Sequence, residues 1–228
     1  MNFINKIRSL LFTPIRVFVF HQVSEQFDES TMWACDWTEI NQFKKKIIEL
    51  QKEYKFISLD EATDHLKTDY FRKTKYAVLT SDDGWESILS ILPWLNERNI
   101  PITLFVNPAY LLKLQTRENG MNRLLSESQL RALLVQFPNI TIASHGWNHD
   151  LCTNQSMEDF NISIKQSNGY LNSFDKYINF FAFPCGNHTM EQDKVLANYG
   201  IIPVYCDGMK NYTFEKGIHR ECIDGEYQ

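Results

Sequence analysis

The feature that most constrains this chain is the regular alternation of short β-like runs with longer helix-like runs along nearly its whole length. Arg16 to Phe20 (RVFVF), Ala77 to Thr80, Ile102 to Val106, Ile140 to Ala143, Phe180 to Phe183 and Ile201 to Tyr205 are rich in β-branched and aromatic residues. Between them apolar residues recur at helical spacing. Thr38 reads as an N-cap before Ile40, Phe43, Ile47, Leu50 and Tyr54. A helix is predicted from Glu86 to about Arg98, with Ile88, Ile91, Leu92 and Leu95 inward. Ser126 with Gln129 forms a capping box. Ser156 opens a helix carrying Phe160, Ile164, Leu171 and Phe174, and another is predicted over Met190 to Tyr199. Repeated β-then-α order implies a mostly parallel sheet with helices outside it. Six or seven such strands in one domain suggest a closed or nearly closed barrel. Active sites in such barrels gather at the C-terminal ends of the strands.

The chain has 228 residues and 43% apolar composition, enough for one domain (1–228) with a sizeable core; residues 1–15 read as an N-terminal extension. A net charge of -5 and the lack of a long basic run argue against nucleic acid as a partner, and Lys44-Lys45-Lys46 reads as a solvated helix face. Five cysteines without CxxC spacing argue against a disulfide framework or a thiolate zinc site. The apolar run Leu10-Leu11-Phe12 is too short for a secretory signal, and no stretch is long enough to span a membrane. A cytoplasmic location is therefore expected. Phe3, Ile4, Ile7, Leu10 and Leu11 suit packing against the domain, or peripheral contact with a membrane surface.

The strand ends carry the chemistry. Ala77 to Thr80 runs into Ser81-Asp82-Asp83-Gly84, Ile140 to Ala143 into Ser144-His145-Gly146-Trp147-Asn148-His149, Phe180 to Phe183 into Pro184-Cys185-Gly186, and Arg16 to Phe20 into His21. Adjacent carboxylates at a strand end are costly to bury without a cation. One can bind an ion while the other acts as a base, although an Asx turn would instead spend both on backbone amides. His145 and His149, four apart, would share a face on one helical turn. Two imidazoles and a carboxylate leave coordination positions open, the arrangement of a catalytic zinc site.

These segments also resemble a known family. Thr80-Ser81-Asp82-Asp83-Gly84 is similar to the Thr-Phe-Asp-Asp-Gly motif of polysaccharide deacetylases with the NodB homology domain (carbohydrate esterase family 4). His145-Gly146-Trp147-Asn148-His149 resembles the family's His-Ser/Thr-x-x-His, and Phe181-Ala182-Phe183-Pro184-Cys185-Gly186 its Phe-Ala-Tyr-Pro-Tyr-Gly. Phe18-Val19-Phe20-His21-Gln22-Val23 is similar to the Tyr-His-x-Val segment of a subgroup with circularly permuted motifs. The resemblance implies a distorted seven-stranded (β/α) barrel and metal-assisted removal of an N-acetyl group from a sugar or glycan precursor. It implies Asp82 as general base, Asp83, His145 and His149 as ligands of one divalent ion, zinc by preference, and His21 as general acid. Trp85, Pro184, Gly186 and Arg220 are placed on the substrate side. Arg220 has two readings, as the residue orienting Asp82 in place of the family arginine whose position Ala182 occupies, or as a surface ion pair. Trp85 and Trp147 suit either a sugar face or packing under the loops. His219 is the next candidate acid, while His188 and His65 read as solvated. Gly146 lacks the hydroxyl of the family pattern. N-formyl groups, O-acetyl esters and a non-catalytic carbohydrate-binding role are the alternatives on the same scaffold. A lipid-linked or nucleotide-linked sugar is the leading substrate expectation.

Overall fold

A computed structural model of the chain describes residues 12–26, 37–114 and 124–224. The N-terminal apolar residues Phe3, Ile4, Ile7, Leu10 and Leu11 lie outside these, as does Cys35. The strands are β1 (Arg16–Phe20), β2 (Gln22–Ser24), β3 (Trp37–Glu39), β4 (Lys55–Phe56), β5 (Tyr76–Ser81), β6 (Ile102–Val106), β7 (Ile140–Ser144), β8 (Tyr177–Ala182), β9 (Ile202–Tyr205), β10 (Ile218–His219) and β11 (Glu221–Cys222). The α-helices are α1 (Ile40–Gln51), α2 (Leu59–Thr68), α3 (Leu92–Glu97), α4 (Pro108–Leu111), α5 (Glu127–Gln136), α6 (Met157–Leu171) and α7 (Met190–Asn198).

The main sheet is parallel and runs in the order β10-β9-β8-β7-β6-β5-β1-β11. Its two ends are halves of one stretch, 218–222. Ile218 and His219 pair with Val204 and Tyr205, whereas Glu221 and Cys222 pair with Phe18 and Val19. The sheet thus curls into a nearly closed barrel, and among the described residues its staves are β1, β5, β6, β7, β8, β9 and this split seventh. Arg220 stands at the seam itself, its N–H donating to Tyr205 O at 2.9 Å and its carbonyl accepting from Gly208 N at 2.9 Å. Arg16 crosses the same seam to Glu221. β2 and β3 form a separate small parallel pair.

Alternation along each strand sends successive side chains to opposite faces. Phe18, Phe20, Leu79, Leu104 and Ile142 meet α1, α3 and α5 in one core cluster. Val17, Val78, Phe105, Ala143, Ala182 and Val204 form a second with Leu59, Ala62 and Leu66 of α2. Strands buried on both faces read as unbroken apolar runs, which is why the sequence shows them so plainly.

The local differences have simple causes. Thr38 belongs to β3, and Glu39 caps α1, its carboxylate accepting from the amides of Asn41 and Gln42. The helix expected from Glu86 is instead a 3₁₀ segment, Glu86–Ser90, followed by α3 after Ile91. Pro93 lies in the first turn of α3, where its missing N–H costs nothing and where it favours a fresh start over continuation. β8 begins earlier than expected, at Tyr177, and ends at Ala182. The capping box of Ser126 and Gln129 and the Ser156 cap form as expected.

Candidate metal centre and active site

β5 delivers two carboxylates to the barrel mouth. Asp82 N still bonds Phe20 O at 3.2 Å, continuing the ladder, and the chain then turns with Gly84 N on Asp82 O at 2.9 Å. Asp83 (φ 69°) and Gly84 (φ 74°) are both left-handed. For a non-glycine residue such a conformation costs roughly 1–3 kcal/mol and persists only where the surroundings enforce it. Its effect here is to cancel strand alternation, so that neighbouring carboxylates face one place. Trp85 Nε1 donates to Asp83 Oδ2 at 3.1 Å. Asp83 Oδ1 then faces the histidines, 3.2 Å from His149 Nε2 and 3.5 Å from His145 Nε2.

The histidines do not lie on a helical turn, contrary to the i, i+4 expectation. Residues 145–149 form a loop with Gly146 at φ 81° and His149 at φ 63°, and this path brings the two imidazoles to 4.9 Å between centroids. Glycine suits position 146 because its left-handed backbone disfavours any side chain. The hydroxyl missing there has two substitutes. Ser144 Oγ accepts from Gly146 N at 3.3 Å, and the Asn107 amide donates to the carbonyls of both His145 and Gly146. His145 Nδ1 lies 2.9 Å from Ala182 O. A carbonyl can only accept, so Nδ1 carries the proton and Nε2 presents its lone pair. Burial lowers the His145 pKa, favouring the neutral ring that a ligand must be.

The ligand atoms of Asp83, His145 and His149 lie within 4.8 Å of one another. A tetrahedral ion with bonds of about 2.0–2.2 Å keeps neighbouring ligand atoms roughly 3.3–3.6 Å apart. The Asp83 to histidine separations of 3.2 and 3.5 Å match that spacing, and the donor set fits a divalent cation.

Asp82 is held from the seam. Arg220, 1% exposed, grips it through Nη1 to Oδ1 at 2.6 Å and Nη2 to Oδ2 at 2.8 Å, and reaches Thr80 Oγ1 at 3.2 Å. Burial alone would favour the neutral acid. The Arg220 guanidinium, aided by protonated His21, outweighs it and holds the Asp82 carboxyl well below the usual carboxylate range. Of the two readings of Arg220, the contact with Asp82 is the one realised.

His21 stands at the end of β1 with its side chain 21% exposed rather than turned into the core. Asp224 accepts from both the His21 amide (2.9 Å) and Nδ1 (2.6 Å) at its Oδ2, while Thr38 Oγ1 donates to its Oδ1 at 3.2 Å. Burial opposes the His21 proton but is outweighed by Asp224, with Asp83 and Asp82 adding to it, so the imidazole is pushed up to about 9. His219 points elsewhere: it bonds Asp207 at 2.7 Å and lies against Tyr205. His188 is exposed and packs against Phe183 and Tyr205, and His65 stacks on Tyr76.

Of the residues placed on the substrate side, Trp85 and Arg220 are buried beneath the carboxylates they bond. Pro184 is buried behind the Gly146 loop. Gly186 is half-buried beside Cys206. Trp147 is half-buried, edge-on to Tyr170. Asp224, Thr38 and Asn107 were not visible as site residues in the sequence. Asp224 carries no motif, and only the β1–β11 pairing, extended by Ile223 N on Val19 O at 2.9 Å, sets it beside His21.

A sequence profile of the polysaccharide deacetylases matches residues 70–204. A comparison with curated proteins finds no match. Among solved structures, the chain is similar to a deacetylase, PplD, from Streptococcus pyogenes in complex with acetate (TM-score 0.77, 17% identity, 94% of each chain covered). It is also similar to IcaB from Ammonifex degensii (0.76, 18%, 92% of each). A third likeness is to a de-N-acetylase from Aggregatibacter actinomycetemcomitans (0.76, 17%, 94% of this chain and 96% of that one). At these identities the likeness establishes the shared barrel. Among the described residues, no helix is long and apolar enough to cross a membrane.

Proposed function

The chain belongs to the polysaccharide deacetylase family, and from that premise we propose that it is a metal-dependent amide hydrolase removing N-acetyl groups from a sugar or glycan precursor. The observation that carries the reading is the meeting, at one barrel mouth, of a three-ligand cluster (Asp83, His145, His149), an ionised carboxylate that is not one of the three (Asp82) and a histidine that holds its proton (His21). Similar proteins described as a deacetylase and a de-N-acetylase support the choice of reaction.

Asp83, His145 and His149 would hold the ion. When bound there, a divalent cation supplies Lewis-acid polarisation of an acyl carbonyl and acidifies water. The remaining work falls to the chain. Asp82, kept ionised by Arg220, accepts the proton of the attacking water. Two guanidinium N–H groups leave each Asp82 oxygen a further lone pair, so the carboxylate is oriented without being used up. The guanidinium keeps the carboxylate ionised, the form that can take up a proton. His21 gives its proton to the leaving nitrogen, which an amide requires because a free amide anion leaves very poorly. Asp224 fixes the ring: with Nδ1 turned to the carboxylate, Nε2 is the nitrogen available to the cleft. Zinc is the ion we assign, since two imidazoles and one carboxylate with positions left open suit it.

The test is acetate release from a panel of N-acetylated sugars, including oligosaccharides and lipid-linked or nucleotide-linked precursors, with N-formyl and O-acetyl analogues alongside. Release that vanishes on chelation, returns with zinc and fails in Asp82→Asn supports the reading. Release that survives chelation, or that is confined to N-formyl or O-acetyl groups, overturns it.

A further inference from the structure

A second group of metal-type donors shares the barrel mouth. His21, Cys222 and Asp224 bring ligand atoms within 4.8 Å of one another. They come from different places: His21 follows β1, Cys222 ends β11, and Asp224 lies just beyond it. The β1–β11 pairing, Val19 against Cys222, makes them neighbours. Cys222 Sγ is 3.8 Å from Asp224 Oδ2, and His21 Nδ1 is 2.6 Å from the same oxygen. The thiol is exposed and the imidazole partly so, which gives an ion a path from solvent.

We propose that His21, Cys222 and Asp224 form a second, inhibitory zinc site, distinct from the Asp83–His145–His149 cluster. The inference rests on reading His21 as the proton donor. Its donor set is imidazole, thiolate and carboxylate. The thiolate is what selects: sulfur favours zinc over magnesium or calcium, which prefer oxygen. An ion with bonds of about 2.3 Å to sulfur and 2.0 Å to oxygen needs those two atoms roughly 3.5 Å apart. They stand 3.8 Å apart. The nitrogen and oxygen now share a proton at 2.6 Å and would open by about 0.7 Å for the same bond lengths.

The proton balance explains inhibition. Zinc replaces the proton between His21 Nδ1 and Asp224 and also the thiol proton of Cys222, so two protons leave as one ion binds. The bound imidazole is then neutral, with its remaining proton on Nε2. Giving up that proton would create an imidazolate, a far poorer acid than the imidazolium it replaces. Capture at Nδ1 therefore removes the general acid while leaving the first metal cluster and Asp82 in place. Loss of a general acid lowers turnover by about 10²-fold or more.

The experiment uses the full chain with one equivalent of metal already bound. A second equivalent of cobalt is added as the probe, since a thiolate ligand gives a near-ultraviolet charge-transfer band that a site of imidazole and carboxylate alone cannot produce. Acetate release is then titrated with excess zinc, and with excess magnesium as the comparison. The proposal expects the cobalt band in the wild type and its loss in Cys222→Ser. It expects zinc, and not magnesium, to inhibit the wild type, and Cys222→Ser to keep its basal activity while needing at least tenfold more zinc for the same inhibition. A band that is absent, or that persists in Cys222→Ser, overturns the site. A band that behaves as expected while turnover stays unchanged overturns the inhibition, and with it the role of His21 as proton donor, leaving the binding site standing.

Discussion

The Asp82–Arg220 pair allows a sharp test because it is buried, bidentate and isolated from solvent. Both partners are at most 4% exposed, and the two contacts are 2.6 and 2.8 Å. In Arg220→Met the aliphatic stem is retained and the cation is lost, leaving the Asp82 carboxylate buried beside Asp83. Breaking a buried pair by removing one partner costs about 3–5 kcal/mol, chiefly because an uncompensated charge remains. Asp82→Asn should cost less than Arg220→Met, since the amide oxygen still accepts one guanidinium N–H. In the double variant neither uncompensated charge is present, so its loss should fall short of the sum of the single losses by at least about 2 kcal/mol. The assay is urea unfolding of the metal-free proteins at neutral pH, with midpoints compared at unchanged slope. In acid, Asp82 of Arg220→Met can take up a proton, so its deficit against the wild type should shrink. Additive losses across the cycle, or a deficit that grows in acid, would refute the claim that Arg220 serves to hold Asp82 as an anion.

Four further outcomes follow from the site. Asp82→Asn should retain metal and fold yet lose turnover by roughly 10²–10⁴; near-normal turnover would make Asp82 structural. The His21 imidazole in metal-free protein should titrate at about 9 by NMR, against 6.5 for an unperturbed ring, and fall in Asp224→Asn. Because its folded pKa is raised, the pair's stabilisation, about 3 kcal/mol at most, is fully present below about 6.5 and is lost as pH rises through about 9. A His21 pKa unchanged by Asp224→Asn would contradict this. His21→Ala should depress amide hydrolysis more than that of an activated ester, and equal losses would leave the acid unassigned. Asn107→Ala frees the His145–Gly146 carbonyls and should weaken metal binding by about 10–100-fold; unchanged affinity would show that the loop holds itself.

The barrel was legible because its strands are buried on both faces and so appear as unbroken apolar runs, and because the chemical residues follow them directly. What escaped were features set by closure and by backbone sign. Asp224 and the realised partner of Arg220 depend on residues more than a hundred positions away meeting across the 218–222 seam, and no local period carries that information. The helical rationale for His145 and His149 failed because spacing alone does not distinguish a helical turn from a loop with left-handed residues, here Gly146 and His149. Pro93 could have signalled the break between the 3₁₀ segment and α3, since proline at the first turn marks a new start.

We propose that Asp83, His145 and His149 together hold one divalent ion on which catalysis depends. The most direct measurement is metal content by elemental analysis of wild type, Asp83→Ala, His145→Ala and His149→Ala purified in parallel, with folding checked by circular dichroism. About one equivalent is expected in the wild type and strongly reduced occupancy in all three variants, with the fold retained. Full occupancy in folded His145→Ala and His149→Ala would contradict it.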